Sequence, residues 1–226
     1  MCGRYTLRVP ETFEEFSETG IMPRFNISPG QTEGTPPIFA VCIGVAGERE
    51  VTPMQWWLLP FWSKTRTIKY TTFNAAIEGI ETKASFREPF RKRRCLVPAD
   101  GFYEWWQENK GTPKRPHFIR RQDNGLFYFA GLWDRWESKD TAEVIDSCTI
   151  VTTPANELLG RIHHRCPVIL SAEHYDEWLD PALHDVERLK QILRPFDPKA
   201  FQMYEVGRYV SNARNQGPQC IEPLAV

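Results

Sequence analysis

Hydrophobic positions along the chain fall mostly in short runs or alternate with polar positions, a pattern typical of β-strands. The runs are rich in β-branched and aromatic side chains and end at Gly, Pro, Asp or Asn. We predict strands at Ile38–Val45, Val51–Leu59, Cys95–Val97, His117–Arg121, Leu126–Leu132, Ser147–Thr153 and Val168–Leu170, and a last one at Tyr204–Val210.

Helical spacing of apolar residues is less frequent. It predicts helices at Pro10–Thr19, Ala84–Arg93, Ala155–Arg161, Ser171–Leu179 and Asp185–Leu193, the fourth capped by Ser171 and ending near Pro181. Many short strands with scattered helices indicate an α+β fold on antiparallel or mixed sheet. Because the sequence has no evident linker or repeat, we expect a single domain over residues 1–226.

Composition narrows the class of protein. The sequence has no apolar run long enough to span a membrane and no signal-peptide pattern at its start, so we expect a soluble, intracellular protein. Its six cysteines are widely spaced, without a Cys-x-x-Cys pair or a Cys/His cluster at zinc-ligand spacing. We therefore expect free thiols in a reducing compartment, with neither a disulfide framework nor a metal site.

The net charge of −1 conceals an uneven distribution of charge. From Lys64 to Arg121 there are 14 Lys and Arg against 6 Asp and Glu, whereas from Asp134 to Arg188 there are 5 against 12. A basic face of this kind can bind a polyanion such as nucleic acid, although charge runs also occur on ordinary solvated surfaces.

The most distinctive chemical group is the cysteine at position 2. A side chain this small permits removal of Met1, which would leave Cys2 with a free thiol beside the free α-amine of the chain. Such a 1,2-aminothiol condenses with an aldehyde to an imine and then closes through sulfur into a thiazolidine. Reference pKa values of ~8 for the amine and ~8.5 for the thiol leave both partly deprotonated near neutral pH. The alternative is an incidental small residue at a frayed terminus.

Aromatic and cationic side chains follow one another closely in the segment from Gln55 to Arg66. Aromatic faces interleaved with positive charge bind the unstacked bases of single-stranded nucleic acid. Because side chains alternate along a strand, Trp56 and Trp57 should point in opposite directions, and we expect at least one of them in the core. The basic run Phe86–Cys95 supplies further cations, a subset of which we expect to contact phosphate, with the others solvated.

Three further positions suit proton transfer or substrate orientation. Glu104 lies in an aromatic strand after a tight turn, where partial desolvation would suit a carboxyl group to acid–base catalysis; an exposed strand carboxylate is the alternative. His163 lies with His164 and Arg165 between a predicted helix and a strand, at a junction that can hold a phosphate or transfer a proton. Asn74 can orient an amine or a hydroxyl, or simply end a strand.

The order and wording of several motifs resemble one protein family across nearly the whole chain. These motifs are Met1–Arg4, Arg24–Gln31, Trp57–Trp62, Phe73–Ala75, Arg94–Trp105, Phe129–Trp133 and His163–Pro167. In them the chain resembles the SRAP (SOS-response-associated peptidase) family of abasic site processing proteins.

The resemblance implies a barrel-like SRAP domain that crosslinks through Cys2 to abasic sites in single-stranded DNA. It implies that Cys2 is the nucleophile, that Asn74 orients the amine or the sugar, and that Glu104 handles protons. His163 would contact phosphate and assist proton transfer or strand scission. The side chains expected to contact DNA are Arg4, Trp56, Trp57, Trp62, Lys83, Arg87 and Arg165.

Other expectations follow from the same resemblance. They are AP lyase activity, removal of Met1 by self-processing or by an aminopeptidase, no cofactor, a monomeric protein, and a location in the bacterial cytoplasm or nucleoid, or in a eukaryotic nucleus. Ala76 stands where family members commonly carry arginine, so one phosphate contact is either absent or replaced by Lys83 or Arg87. Cys166 stands where methionine is frequent, a change that concerns packing.

Two functions from other classes are also consistent with these residues. In an N-terminal-nucleophile amidohydrolase, Cys2 would attack an amide with its own α-amine as the base. In a non-covalent module for single-stranded nucleic acid, Cys2 would be incidental and binding would weaken with salt without regard to the lesion.

Overall fold

Two β-sheets dominate the computed structural model, which describes residues 2–8 and 22–224. The strands are β1 (Tyr5–Leu7), β2 (Arg24–Ile27), β3 (Ile38–Ile43), β4 (Arg49–Trp56), β5 (Asn74–Ala76), β6 (Arg94–Ala99), β7 (Gly101–Trp106), β8 (Arg115–Arg121), β9 (Phe127–Glu137), β10 (Val144–Pro154), β11 (Arg165–Pro167), β12 (Ile169–Leu170) and β13 (Phe201–Glu205). The α-helices are α1 (Arg87–Lys92), α2 (Tyr175–Leu179) and α3 (Val186–Ile192), and short 3₁₀ turns lie at Leu159–Arg161, Ala172–His174, Pro198–Ala200, Arg208–Ser211 and Pro218–Cys220.

The two sheets differ in whether their strands close into a barrel. The five-stranded sheet has the antiparallel order β13-β8-β7-β1-β2. In the eight-stranded sheet, β10, β4, β3, β6 and β9 follow one another, and β10 also pairs with β9, so that these five strands close into a barrel. The β10–β4 pair is parallel and the other pairs of the barrel are antiparallel, which confirms the predicted mixed, barrel-like α+β fold.

Alternation along the barrel strands divides the apolar residues between two cores. Ala40 and Cys42 of β3 belong to the core between the two sheets, whereas Val41 belongs to a second core beneath the helices. The first core also contains Cys2, Tyr5 and residues of β6, β7, β9 and β10. Cys2 and Tyr5 are therefore held between the sheets.

Most predicted strands are confirmed, with shifted ends. The strand predicted at Val51–Leu59 begins at Arg49 and ends at Trp56, and the last strand is Phe201–Glu205, followed by a 3₁₀ turn instead of further strand. The two helices predicted at Ala84–Arg93 and Asp185–Leu193 are confirmed in shorter form. Pro10–Thr19 lies outside the described residues.

Two helix predictions need correction. Ala155–Arg161 contains only the 3₁₀ turn at its end, because the Asn156 side chain accepts the Leu159 N–H and sets a tight turn. Ser171–Leu179 divides into a 3₁₀ turn and α2, and the Ser171 side chain makes no capping hydrogen bond. No helix of the described residues is both long and apolar enough to cross a membrane.

Candidate active site

Cys2 lies before β1, separated from it by Gly3 and Arg4, and its side chain is completely buried between the sheets. Its Sγ lies 3.9 Å from the carbonyl oxygen of Arg4, which accepts a weak hydrogen bond from the thiol. Burial raises the pKa of the Cys2 thiol far above its ordinary value, and the nearby Glu104 carboxylate raises it further. With Met1 in the chain, the sulfur is therefore held as a protonated thiol at neutral pH.

Asn74 holds the backbone of Cys2 from the barrel side. It begins β5, which pairs in parallel with β10 through the Ile150–Asn74 register. The Asn74 side chain is 7 % exposed, and its Nδ2 donates to the Cys2 carbonyl oxygen over 2.8 Å. Its Oδ1 is buried without a hydrogen-bond partner among the described residues. The Asn74 amide thus fixes the Cys2 backbone through Nδ2, while its Oδ1 can still accept a hydrogen bond.

Glu104 approaches Cys2 from β7, the strand next to β1. Tyr5 pairs with Phe102, and the Tyr103 N–H donates to the Arg4 carbonyl oxygen, so the antiparallel register brings the residues before β1 alongside Glu104. Glu104 shares the inward face of β7 with Phe102 and is 5 % exposed. The predicted desolvation of this carboxyl group is confirmed by its burial.

His163 completes the group after the 3₁₀ turn at Leu159–Arg161, to which its backbone N–H is bonded. Burial lowers the pKa of the imidazole, Glu104 opposes that effect, and the charge of His164 adds to it. The Nδ1 atom lies 3.0 Å from the Arg165 amide nitrogen and 3.2 Å from the Arg165 carbonyl oxygen. It can accept a hydrogen bond when neutral and donate one when protonated, so the ring has a partner in both charge states.

A cleft of about 500 Å³ opens above these side chains. Its lining residues are Gly3, Arg4, Phe73, Glu104, Trp105, Lys114, His163 and Ser211. The structure therefore brings all four predicted catalytic residues to one site, two beside the cleft and two in its wall. Lys114 and Ser211 were not predicted, because nothing in their local sequence indicates that distant segments meet here.

The three tryptophans predicted to contact DNA lie in different environments. Trp56 is 1 % exposed, donates from its indole nitrogen to the Phe73 carbonyl oxygen over 2.9 Å, and packs edge-on against Tyr5. The prediction that Trp56 contacts DNA is therefore wrong, while the expectation of one buried member of the pair is confirmed. Trp57 is half-buried against Phe73, and Trp62 is 47 % exposed.

Trp62 and its neighbour Phe61 form an exposed aromatic turn after β4. The Phe61 N–H donates to the buried Asp134 carboxylate over 3.0 Å, and Arg93 lies 3.1 Å from the same carboxylate. The Trp62 indole nitrogen donates to the Ala84 carbonyl oxygen over 3.3 Å. The turn is thus anchored from β9 and from the loop before α1, with both rings facing outward.

Several of the cationic side chains predicted to contact DNA already have hydrogen-bond or ion-pair partners within the protein. Arg165 forms a two-bond ion pair with Glu78 and is 14 % exposed, so its guanidinium is largely committed. Arg4 donates to the Asn26 side chain and to the Val210 carbonyl oxygen. Lys83 donates from Nζ to the Glu78 carbonyl oxygen, and Arg87 is exposed.

The basic run before β6 is also not uniformly solvated. Arg94 is 3 % exposed and donates to the carbonyl oxygens of Phe90, Arg91 and Trp178, so it joins the ends of α1 and α2. That part of the expectation is wrong, because backbone carbonyl groups at two helix ends compete with solvent for the guanidinium. Residues 2–8 and 22–224 contain no group of three His, Cys, Asp or Glu side chains arranged to hold a metal ion.

Relatives with curated names are abasic site processing proteins. YoqW of Bacillus subtilis (strain 168) is 35% identical over 230 residues, which cover 98% of this chain and 99% of YoqW. HMCES of Gallus gallus is 33% identical over 202 residues, which cover 79% of this chain and 59% of HMCES. A crystal structure of a protein from Bacteroides thetaiotaomicron superposes with a TM-score of 0.81 at 28% identity, over 99% of this chain and 100% of that chain.

A protein-family model also matches most of the chain. The model of the family described as SOS response associated peptidase (SRAP) matches residues 1–213. The chain therefore belongs to the SRAP family.

Proposed function

We propose that this protein processes abasic sites in single-stranded DNA by forming a covalent thiazolidine through Cys2 after Met1 is removed. The observation that carries the proposal is the arrangement of Asn74, Glu104 and His163 around Cys2 beside one cleft. The names of the relatives, abasic site processing proteins, support the lesion as the substrate.

The proposed chemistry balances without an oxidant, a reductant or a cofactor. Hydrolysis of the Met1–Cys2 peptide bond consumes one water and frees the α-amine. The amine adds to the open-chain aldehyde of the abasic deoxyribose and loses one water to form an imine. The Cys2 sulfur then adds to the imine carbon while its proton passes to the nitrogen, which closes the thiazolidine.

Each neighbouring side chain has a role that its position supports. Glu104 can take the hydroxyl proton of the closed sugar and return a proton to the ring oxygen as the bond between that oxygen and the anomeric carbon breaks, because the carboxyl group lies in the cleft wall beside Cys2. Asn74 holds the Cys2 carbonyl group and thereby aims the neighbouring amine. His163 can exchange protons in the cleft while Nδ1 remains hydrogen bonded to the backbone of Arg165.

The same imine leads to strand scission if the thiazolidine does not close. Removal of a proton from the sugar carbon next to the imine expels the 3′ phosphate, which is the AP lyase reaction. We propose that sulfur addition competes with this elimination, so the crosslink protects the strand. Cys2 itself lies beside the same acid–base groups, which supports self-processing in which the Cys2 thiol attacks the Met1 carbonyl group, the peptide nitrogen leaves as the α-amine and water releases Met1.

The outer surface supports single-stranded DNA over duplex. The exposed rings of Phe61 and Trp62 offer stacking faces, which contribute about 1–3 kcal/mol per base in proteins that bind single strands. Such faces are of use only where the bases are unpaired. We propose that the protein acts as a monomer inside the cell, where DNA is present.

Intact-mass measurement tests the proposal directly. The purified protein is expected to lack Met1 and, with a single-stranded oligonucleotide carrying one abasic site, to gain the mass of that oligonucleotide less one water. Cys2→Ala should form no such adduct. Cys166→Ala is the matched control, because Cys166 is also a buried thiol of the same core. Equal adduct from Cys2→Ala and wild type would refute the mechanism, and Cys2-dependent glutamine or peptide hydrolysis would favour an amidohydrolase.

A further inference from the structure

The cleft presents an electrostatic problem for the proposed substrate. An abasic nucleotide within a strand carries a phosphodiester on each side, and the cleft wall already contains the Glu104 carboxylate. An anion brought beside a carboxylate is repelled unless a cation lies close to it. The side chains that line the cleft must therefore provide positive charge for a bound strand to approach Cys2.

Building on the proposed function, we propose that Lys114 forms a phosphodiester subsite at the rim of the cleft and binds a phosphate next to the abasic sugar. Lys114 lies at the end of the loop that joins β7 to β8 and lines the cleft together with Glu104 and His163. Its side chain is exposed. Throughout the part of the chain that the structure describes, its ammonium group makes no ion pair or side-chain hydrogen bond, so it remains available to a ligand.

The loop that carries Lys114 is held in place by its own hydrogen bonds. The Thr112 N–H donates to the Asn109 carbonyl oxygen, and the Gln107 side chain donates to the Thr112 carbonyl oxygen over 2.8 Å. Pro113 immediately precedes Lys114; its ring fixes its own φ angle and restricts the backbone of Thr112. Lys114 therefore extends from a defined position at the start of β8.

Other cations around the cleft are already engaged. Arg115, the next residue, forms an ion pair with Glu205 and lies over the Trp106 ring at 5.0 Å. Arg4 also lines the cleft, but its guanidinium bonds Asn26 and the Val210 carbonyl oxygen. Burial lowers the pKa of His163, so that ring is neutral at pH 7. Lys114 is thus the cleft cation whose donors are directed to solvent.

The test compares two lysines of the same loop. Lys110 is also exposed but does not line the cleft, which makes Lys110→Gln the matched control for Lys114→Gln. Binding is measured in a Cys2→Ala background with single-stranded DNA that carries one abasic site, so that no crosslink interferes. We expect Lys114→Gln to weaken binding about five-fold at low salt, the size of one exposed ion pair, and to lower the salt slope by about 0.7. Lys110→Gln should do neither, and Lys114→Arg should retain both.

A change in the DNA tests whether Lys114 contacts a phosphate beside the abasic site. Replacing one phosphodiester beside the abasic site by an uncharged methylphosphonate should weaken binding by the same factor for the protein with Lys114, but not for Lys114→Gln. Equal losses with both proteins, or indistinguishable binding by Lys114→Gln and Lys110→Gln, would overturn the subsite.

Measurements of crosslinking test the Lys114 subsite separately from the proposed crosslinking function. With Cys2 present, Lys114→Gln should need more DNA for half-maximal crosslinking while reaching the wild-type rate at saturation. A wild-type protein that binds through Lys114 but forms no adduct would refute the crosslinking function and support the subsite. A normal adduct with no effect of Lys114→Gln would refute the subsite alone.

Discussion

The side-chain amide of Asn74 donates a hydrogen bond from Nδ2 to the backbone carbonyl oxygen of Cys2 over 2.8 Å. This bond joins β5 at the edge of the barrel to the chain before β1 in the other sheet. It fixes the backbone of the residue whose amine and sulfur must reach one carbon atom.

Asn74→Ala should slow crosslinking about ten- to a hundred-fold, because the loss of a buried hydrogen bond of about 1–3 kcal/mol releases the Cys2 backbone. Single-turnover adduct formation measures the rate. Thr72→Val is the control: it removes the buried hydrogen bond from Thr72 to the Leu58 carbonyl oxygen, a bond close to Asn74 in the chain that does not involve Cys2. Equal rates for the two variants would contradict the role of Asn74.

Trp62 and Trp56 should respond to substitution in opposite ways. Trp62→Ala removes an exposed ring and should reduce affinity for undamaged single-stranded DNA by about 1–3 kcal/mol, with the free energy of unfolding nearly unchanged. Trp56→Phe removes the indole bond to Phe73 and should lower the free energy of unfolding by about 1–3 kcal/mol, with affinity retained. DNA titration and chemical denaturation measure both quantities. If Trp62→Ala bound single-stranded DNA with wild-type affinity, the aromatic turn would not be part of the DNA-binding surface.

His163 should make the fold sensitive to mild acid. Its folded-state pKa is lowered from an ordinary value of 6.5, so the unfolded chain takes up this proton first as the pH falls. Well above pH 6.5 both states are neutral at this ring, so its titration contributes nothing there. Between 6.5 and the lower folded-state pKa the unfolded state is increasingly favoured. The imidazole resonance of His163 in NMR should titrate below pH 6.5, and His163→Gln should reduce the loss of stability in that range. A midpoint above 6.5 would contradict the burial effect.

Asp134 should control the aromatic turn without contacting DNA. Asp134→Ala removes the acceptor of the Phe61 N–H and the partner of Arg93, so Phe61 and Trp62 should lose their fixed position. We expect single-stranded DNA binding to weaken about three- to ten-fold and the free energy of unfolding to fall by about 1–3 kcal/mol.

The control for this change is Asp146→Ala on the neighbouring strand. Asp146 pairs with Arg135 at the surface, where an ion pair contributes about 0–1 kcal/mol. Its loss should leave both affinity and stability close to wild type. A similar loss of affinity in the two variants would point to a general charge effect and away from the turn.

Local sequence was sufficient to predict most of the longer strands, the α+β class and the chemical identity of the candidate nucleophile, but not the short strands β1, β2, β5 and β11. Short apolar runs indicate strands that are buried on both faces, and β3 and β6 have this burial, since β6 is buried at every position and β3 at most of its positions. The resemblance of the motifs to one family also predicted Cys2, Asn74, Glu104 and His163 as site residues, and the structure brings these four together.

Which of the aromatic and basic side chains remain available to a ligand depends on how the chain folds. Trp56 and Trp62 are the same residue type in one motif, yet the first is enclosed by Tyr5 and Phe73 and the second is exposed. Arg165 has a partner in Glu78, far away in the chain, whereas Lys114 enters the cleft without one. Local sequence cannot predict such outcomes, because burial and pairing depend on segments that meet only when the two sheets pack.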